Sequence, residues 1–114
     1  MRKQMIENAA FDVATQVRSV EDAIETVLAE MAELQSRMIH CRSVAGIATA
    51  TGHQAFEHLA KATLEMVTAR GAIADCHGVL KETQRFIPGL RAVSFGEGDE
   101  CPPPSAIQPL RVVA

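Results

Sequence analysis

The stretch IENAAFDVATQVRSVEDAIETVLAEMAELQSRMIHCRSVAGIA, residues 6–48, decides the fold. An apolar side chain returns every three or four residues: Ile6, Ala10, Val13, Val17, Val20, Ile24, Val27, Met31, Leu34, Met38, Cys41, Ala45 and Ala48. The steps alternate four and three throughout. That is a heptad repeat rather than the looser stripe of an ordinary surface helix. No Gly or Pro interrupts it before Gly46. One long helix over about residues 5–46 is predicted. Asp12, Arg18, Glu21, Asp22, Glu25, Glu33 and Arg37 lie between the apolar positions, giving one apolar seam with a wet outside. A seam of that length calls for a long partner helix, because apolar surface gains free energy by leaving water.

The partner follows in the chain. Ala45-Gly-Ile-Ala-Thr-Ala-Thr-Gly-His-Gln54 reads as a reversal, with the turn within about 46–53. Gly46 and Gly52 can each take the left-handed conformation that ends a helix. Thr51-Gly-His-Gln54 has the form of a capping box. A second helix over about 53–86 is predicted, ended by Ile87-Pro88-Gly89, since Pro cannot continue a helix and disfavours it at the preceding residue. Its main stripe, Leu59, Met66, Ile73, Leu80 and Ile87, recurs at strict seven-residue intervals. Phe56 and Thr63 flank that stripe on one side, and Ala60, Val67 and Ala74 on the other. Ala55, Ala62, Ala69 and Cys76 form a small-residue line, and Leu64, Gly71 and Gly78 a further non-polar one. The second helix is therefore apolar over more of its circumference than one neighbour can cover.

That excess points to self-association. A lone two-helix hairpin has little interior and is marginal, whereas two hairpins side by side enclose a core. The expected architecture is all-α: residues 1–87 as a long antiparallel hairpin, paired as a homodimer into a four-helix bundle. With the chain turning near residue 50, Arg70 should lie level with Glu30, and His77 near Asp22 and Glu25. Val27 and Leu34 should face Ile73 and Met66. After Pro88 the composition changes to Leu90–Phe95, the acidic turn Gly96–Glu100, the polyproline II spacer Pro102–Pro104, and an apolar end carrying Leu110, Val112 and Val113. Residues 88–114 read as an extended Pro/Gly-containing strap, not an independent domain.

Bulk composition narrows the function. The 114 residues have room for one domain. Hydrophobic content of 47% with 22% charged residues is that of a globular protein. Aromatics make up 4%, without Trp or Tyr, so small aliphatic residues must fill the core. A net charge of −3 leaves no basic footprint for nucleic acid. No apolar run approaches a membrane span of roughly 20 residues or a signal peptide. Nor is there a basic amphipathic helix to lie on a membrane, since the first helix has an acidic polar face. Cys41, Cys76 and Cys101 are odd in number and show no C-x-x-C spacing, which suits a reducing, cytoplasmic compartment.

The one suggestive short string is His58-Leu-Ala-Lys61-Ala62. It resembles the histidine phosphotransfer motif, in which a helical His is followed three residues later by Lys and then by a small residue. The resemblance implies His58 as phosphoacceptor and Lys61 as the cation that offsets phosphoryl charge. It covers five residues. Ala60 stands where that motif has a large aliphatic residue, and Ala62 where it has Gly. The plainer reading is a solvated helix His beside Glu57 and Lys61.

His40, Cys41 and His58 come together across the expected hairpin, and Cys76-His77 adds another N/S pair, but no E-x-x-H, H-x-x-x-H or H-E-x-x-H gives metal-ligand spacing. Neither G-x-S-x-G nor a phosphate-cradling Gly loop occurs. No catalytic residue, metal or cofactor is assigned. The expectation is a non-catalytic, homodimeric interaction or scaffold protein of a bacterial type, with a His58 phosphotransfer module as the alternative.

Overall fold

In the computed structural model, residues 2–90 are described, and they are all-helical. Helix α1 runs Arg2–Ala45 and helix α2 His53–Gln84, joined by a short reversal into a helical hairpin. No strand occurs among the described residues. The strap expected over 88–114 lies, from residue 91 on, outside the described residues.

The reversal is built from backbone chemistry. Gly46 N–H donates to Ser43 O at 3.3 Å and Ile47 N–H to Arg42 O at 3.1 Å, with Gly46 at φ +65°. This is a Schellman motif, which satisfies the last carbonyls of α1 and requires a left-handed residue at Gly46. Three further backbone bonds, Thr51 N–H to Ala48 O, His53 N–H to Ala50 O and Ala55 N–H to Gly52 O, wind the chain into α2. Since α2 begins at His53, Gly52 (φ +71°) precedes it, and Thr51 stands one position too early for the capping box. At the other end α2 tightens before Pro88. Arg85, Phe86 and Ile87 donate to Glu82, Thr83 and Gln84, the three-residue spacing of a 3₁₀ turn. Leu90 N–H then donates to Ile87 O at 3.1 Å across Pro88-Gly89, with Gly89 at φ +89°, as a type II turn demands.

The described residues fall into two compact units: the chain up to Val17 with the part from Ala74 onward, and Arg18–Ile73. In the Arg18–Ile73 unit the helices run antiparallel, but the register differs from expectation. Arg70 donates to Glu25, not Glu30, and the Thr63 hydroxyl lies 3.9 Å from Met31 Sδ. The turns between Ala48 and Ala55 explain the offset, because the chain is already advancing along α2 before the helix proper begins.

The covered face of α1 is also rotated from the predicted seam. Ile24, Met31 and Met38 are half-buried as predicted, but the second covered line runs through Glu21, Leu28 and Arg42. Val27 is 38% and Leu34 50% exposed, so neither is buried against Ile73 or Met66 within the chain. Arg42 accounts for the rotation: its guanidinium donates to Ala48 O at 2.6 Å and Thr49 O at 3.0 Å, and stacks over the Phe56 ring with 5.5 Å to the centroid. The line bearing Arg42 must therefore face the reversal and α2. No residue of this unit is fully buried.

The other unit holds all the fully buried described residues, Ala14, His77 and Leu90. His77 was expected near Asp22 and Glu25. It instead lies 4% exposed in a hollow shared with Ala10, Val13, Ala14 and Val17. Gln84 Nε2 donates to Leu90 O at 2.6 Å and ties the closing turn to the last turn of α2.

Two stability differences follow from this arrangement. Leu90→Ala should cost about 2–5 kcal/mol, because Leu90 is 1% exposed. Phe86→Ala, four residues earlier and 82% exposed, should stay within about 0.5 kcal/mol. Gly46→Ala should cost about 1–2 kcal/mol although its Cβ would meet nothing within 4 Å, since the penalty lies in the left-handed backbone alone. Chemical denaturation followed by far-UV circular dichroism measures all three.

Candidate functional site

Among the described residues, two concavities and the exposed apolar face of α2 stand out. The first concavity, about 160 Å³, belongs to the unit of the chain ends. Ala10, Val13, Ala14, Val17, Leu80, Ile87 and Leu90 line it, with His77, Lys81, Thr83 and Gln84 supplying the polar atoms. Its lining is mostly aliphatic, and Gln84 is already committed to the Leu90 carbonyl. The second, about 400 Å³, lies at the reversal between Ile39, Arg42, Ser43, Ile47, Thr49, His53 and Phe56. Ser43 and His53 share that hollow, and His53 Nε2 lies 3.4 Å from the Glu57 carboxylate, both of those side chains being mostly exposed.

The residues of the phosphotransfer-like string are on the surface of α2. His58 is exposed, and Lys61 Nζ points to Glu65 Oε1 at 3.8 Å, one turn further on, rather than serving His58. Leu59 and Ala62 of the same string are half-buried. His40 and Cys41 are exposed on α1, and Cys76 is exposed while its neighbour His77 is buried. Among the described residues no group of three His, Cys, Asp or Glu side chains could hold a metal ion. No helix among them is long and apolar enough to cross a membrane.

The surface is more distinctive. On α2, Ala60, Leu64, Val67, Gly71 and Ala74 recur at steps of four and three, and all are exposed. Leu64 is 66% and Val67 50% exposed. A helix whose only apolar face met its neighbour would show polar residues at these positions. On α1 the outer edge of the seam, Val27 and Leu34, is exposed too. Ion pairs fix little here: Arg37–Glu33, Lys61–Glu65 and Arg70–Glu25 all have mostly exposed side chains, where such pairs contribute little.

No family model, curated protein or solved structure matches the chain.

The residue that sequence reasoning missed is Arg42. The sequence offered only a general signal, a basic side chain in the last turn of a helix, whereas the carbonyls Arg42 bonds, those of Ala48 and Thr49, lie in the reversal beyond it. Arg42→Ala removes two charge-assisted hydrogen bonds and the contact with Phe56 at once. It should destabilise the protein by about 1.5–3 kcal/mol. Hydrogen exchange should speed up first at Thr51 and Ala55, whose amides close the turns beyond it.

Proposed function

We propose that this protein is a non-catalytic helical interaction or scaffold protein that works as a homodimer, two hairpins forming a four-helix bundle. The observation that carries the proposal is the apolar surface left on α2 after α1 has taken its share: Leu64, Val67 and Val79 are each at least half exposed. The lack of any fully buried residue in the Arg18–Ile73 unit supports the same reading. A paired structure supplies the enclosed core that two helices alone do not. Burying apolar area of this kind is what drives protein association. A reducing, cytoplasmic setting fits the two described cysteines, Cys41 and Cys76, which are free and exposed.

The second reading, a phosphotransfer module, rests on the exposure of His58 in α2 with Lys61 one turn away. Ala60 and Ala62, standing where that motif has a large aliphatic residue and Gly, count against it. Incubation with phosphorylated receiver domains should leave no acid-labile phosphate on the protein. A signal lost in His58→Gln, with the helical content unchanged, would make the phosphotransfer reading the correct one.

Light scattering at micromolar concentration tests the main proposal. A particle of twice the 12.3 kDa chain mass is expected. A stable, folded 12.3 kDa monomer would refute it. Because folding and pairing are coupled, the midpoint of chemical denaturation should rise with protein concentration.

A further inference from the structure

The dimer reading leaves open where the second copy sits, and two exposed apolar edges compete for it. One is the outer edge of the α1 seam, Val27 and Leu34; the other is the outward stripe of α2. Charge separates them. Between Arg18 and Arg37, α1 carries Glu21, Asp22, Glu25, Glu30 and Glu33 against Arg18 and Arg37, a net acidic set, so a second α1 laid on that edge brings acid against acid. Between Ala60 and Gly78, α2 carries Lys61 and Arg70 against Glu65 and Asp75, a balanced set.

Resting on the homodimer reading, we propose that the second copy docks antiparallel along the exposed α2 stripe Ala60, Leu64, Val67, Gly71 and Ala74, with its two-fold axis close to Thr68. Two features of the sequence make that arrangement self-complementary. Lys61 and Asp75 lie seven residues to either side of Thr68, on one line of the helix. Antiparallel pairing about Thr68 therefore sets Lys61 level with the partner's Asp75, twice by symmetry. Parallel pairing sets like against like. The same alignment sets large residues against small ones: Val67 level with the partner's Ala69, and Leu64 level with the partner's Ala72. Such alternation lets two helix axes come close without a gap. Lys61 is available for the exchange, because its present partner Glu65 is 3.8 Å away and both side chains are mostly exposed.

The test uses full-length protein in sedimentation or light-scattering titrations, with circular dichroism as the folding control. Val67→Arg should be monomeric at concentrations where the parent chain is dimeric, with helical content retained. Lys61→Glu and Asp75→Lys should each weaken the dimer roughly tenfold, and the double variant should restore it to within about twofold of the parent. These two exposed sites decide the matter even if Val67→Arg unfolds the chain. A parent dimer that tolerates Val67→Arg, or single charge changes that are not rescued by the double, would overturn the α2 interface while leaving the dimer standing. A parent chain that is monomeric throughout would instead overturn the dimer on which the interface rests.

Discussion

Two helices lying side by side hide one strip of each cylinder, and the strip is narrow because a helix with its side chains is about 10–12 Å across. In this protein α2 is apolar around far more than one strip. Leu59, Met66 and Ile73 are half-buried, while Leu64 and Val67 are left to water. Exposed apolar area on a folded chain is a standing free-energy cost that association removes. The mismatch lies between what one helix offers and what its neighbour can cover.

Burial is uneven along the chain for a related reason. The unit of the chain ends gains a third element in the Pro88-Gly89 turn, which brings Leu90 onto the helices and closes a small interior with Ala14 and His77. The Arg18–Ile73 unit has only two helices and no lid, and nothing in it is fully buried. Its order rests on backbone hydrogen bonds, the Schellman reversal and the Arg42 contacts, each a modest net contribution in water. A region so built gains most from a partner, since every apolar side chain there still has free energy to gain.

The candidate site was legible in part. The excess apolar lines of helix 2, Ala60–Val67–Ala74 and Leu64–Gly71–Gly78, could be counted from the residues, and all of these positions but the half-buried Gly78 are left exposed. His58 could be placed outside the seam by periodicity, and it lies there. The direction of Lys61 could not, because a flexible four-carbon stem within reach of both His58 and Glu65 chooses between them by local geometry. Nor could the role of Arg42. It depends on carbonyls of Ala48 and Thr49 that point to it only once the reversal has formed.

Local chemistry alone determined the helices and their ends. An unbroken heptad run makes a helix over Arg2–Ala45, Gly46 stops it because only a left-handed residue completes the cap, and Pro88 stops the second. These choices involve residues a few positions apart, so they can be read directly from the chain. Register and rotation were decided by the tertiary structure. A seam of Ala, Val, Ile, Leu and Met packs acceptably at several offsets, since small aliphatic side chains carry little directional information. The register and rotation adopted are marked by the Thr63 hydroxyl against Met31 and by Arg42, which stacks over Phe56 and bonds the carbonyls of the reversal; Arg70 beside Glu25 follows from that register. In that arrangement Leu28 is half-buried, while Leu34 is left 50% exposed.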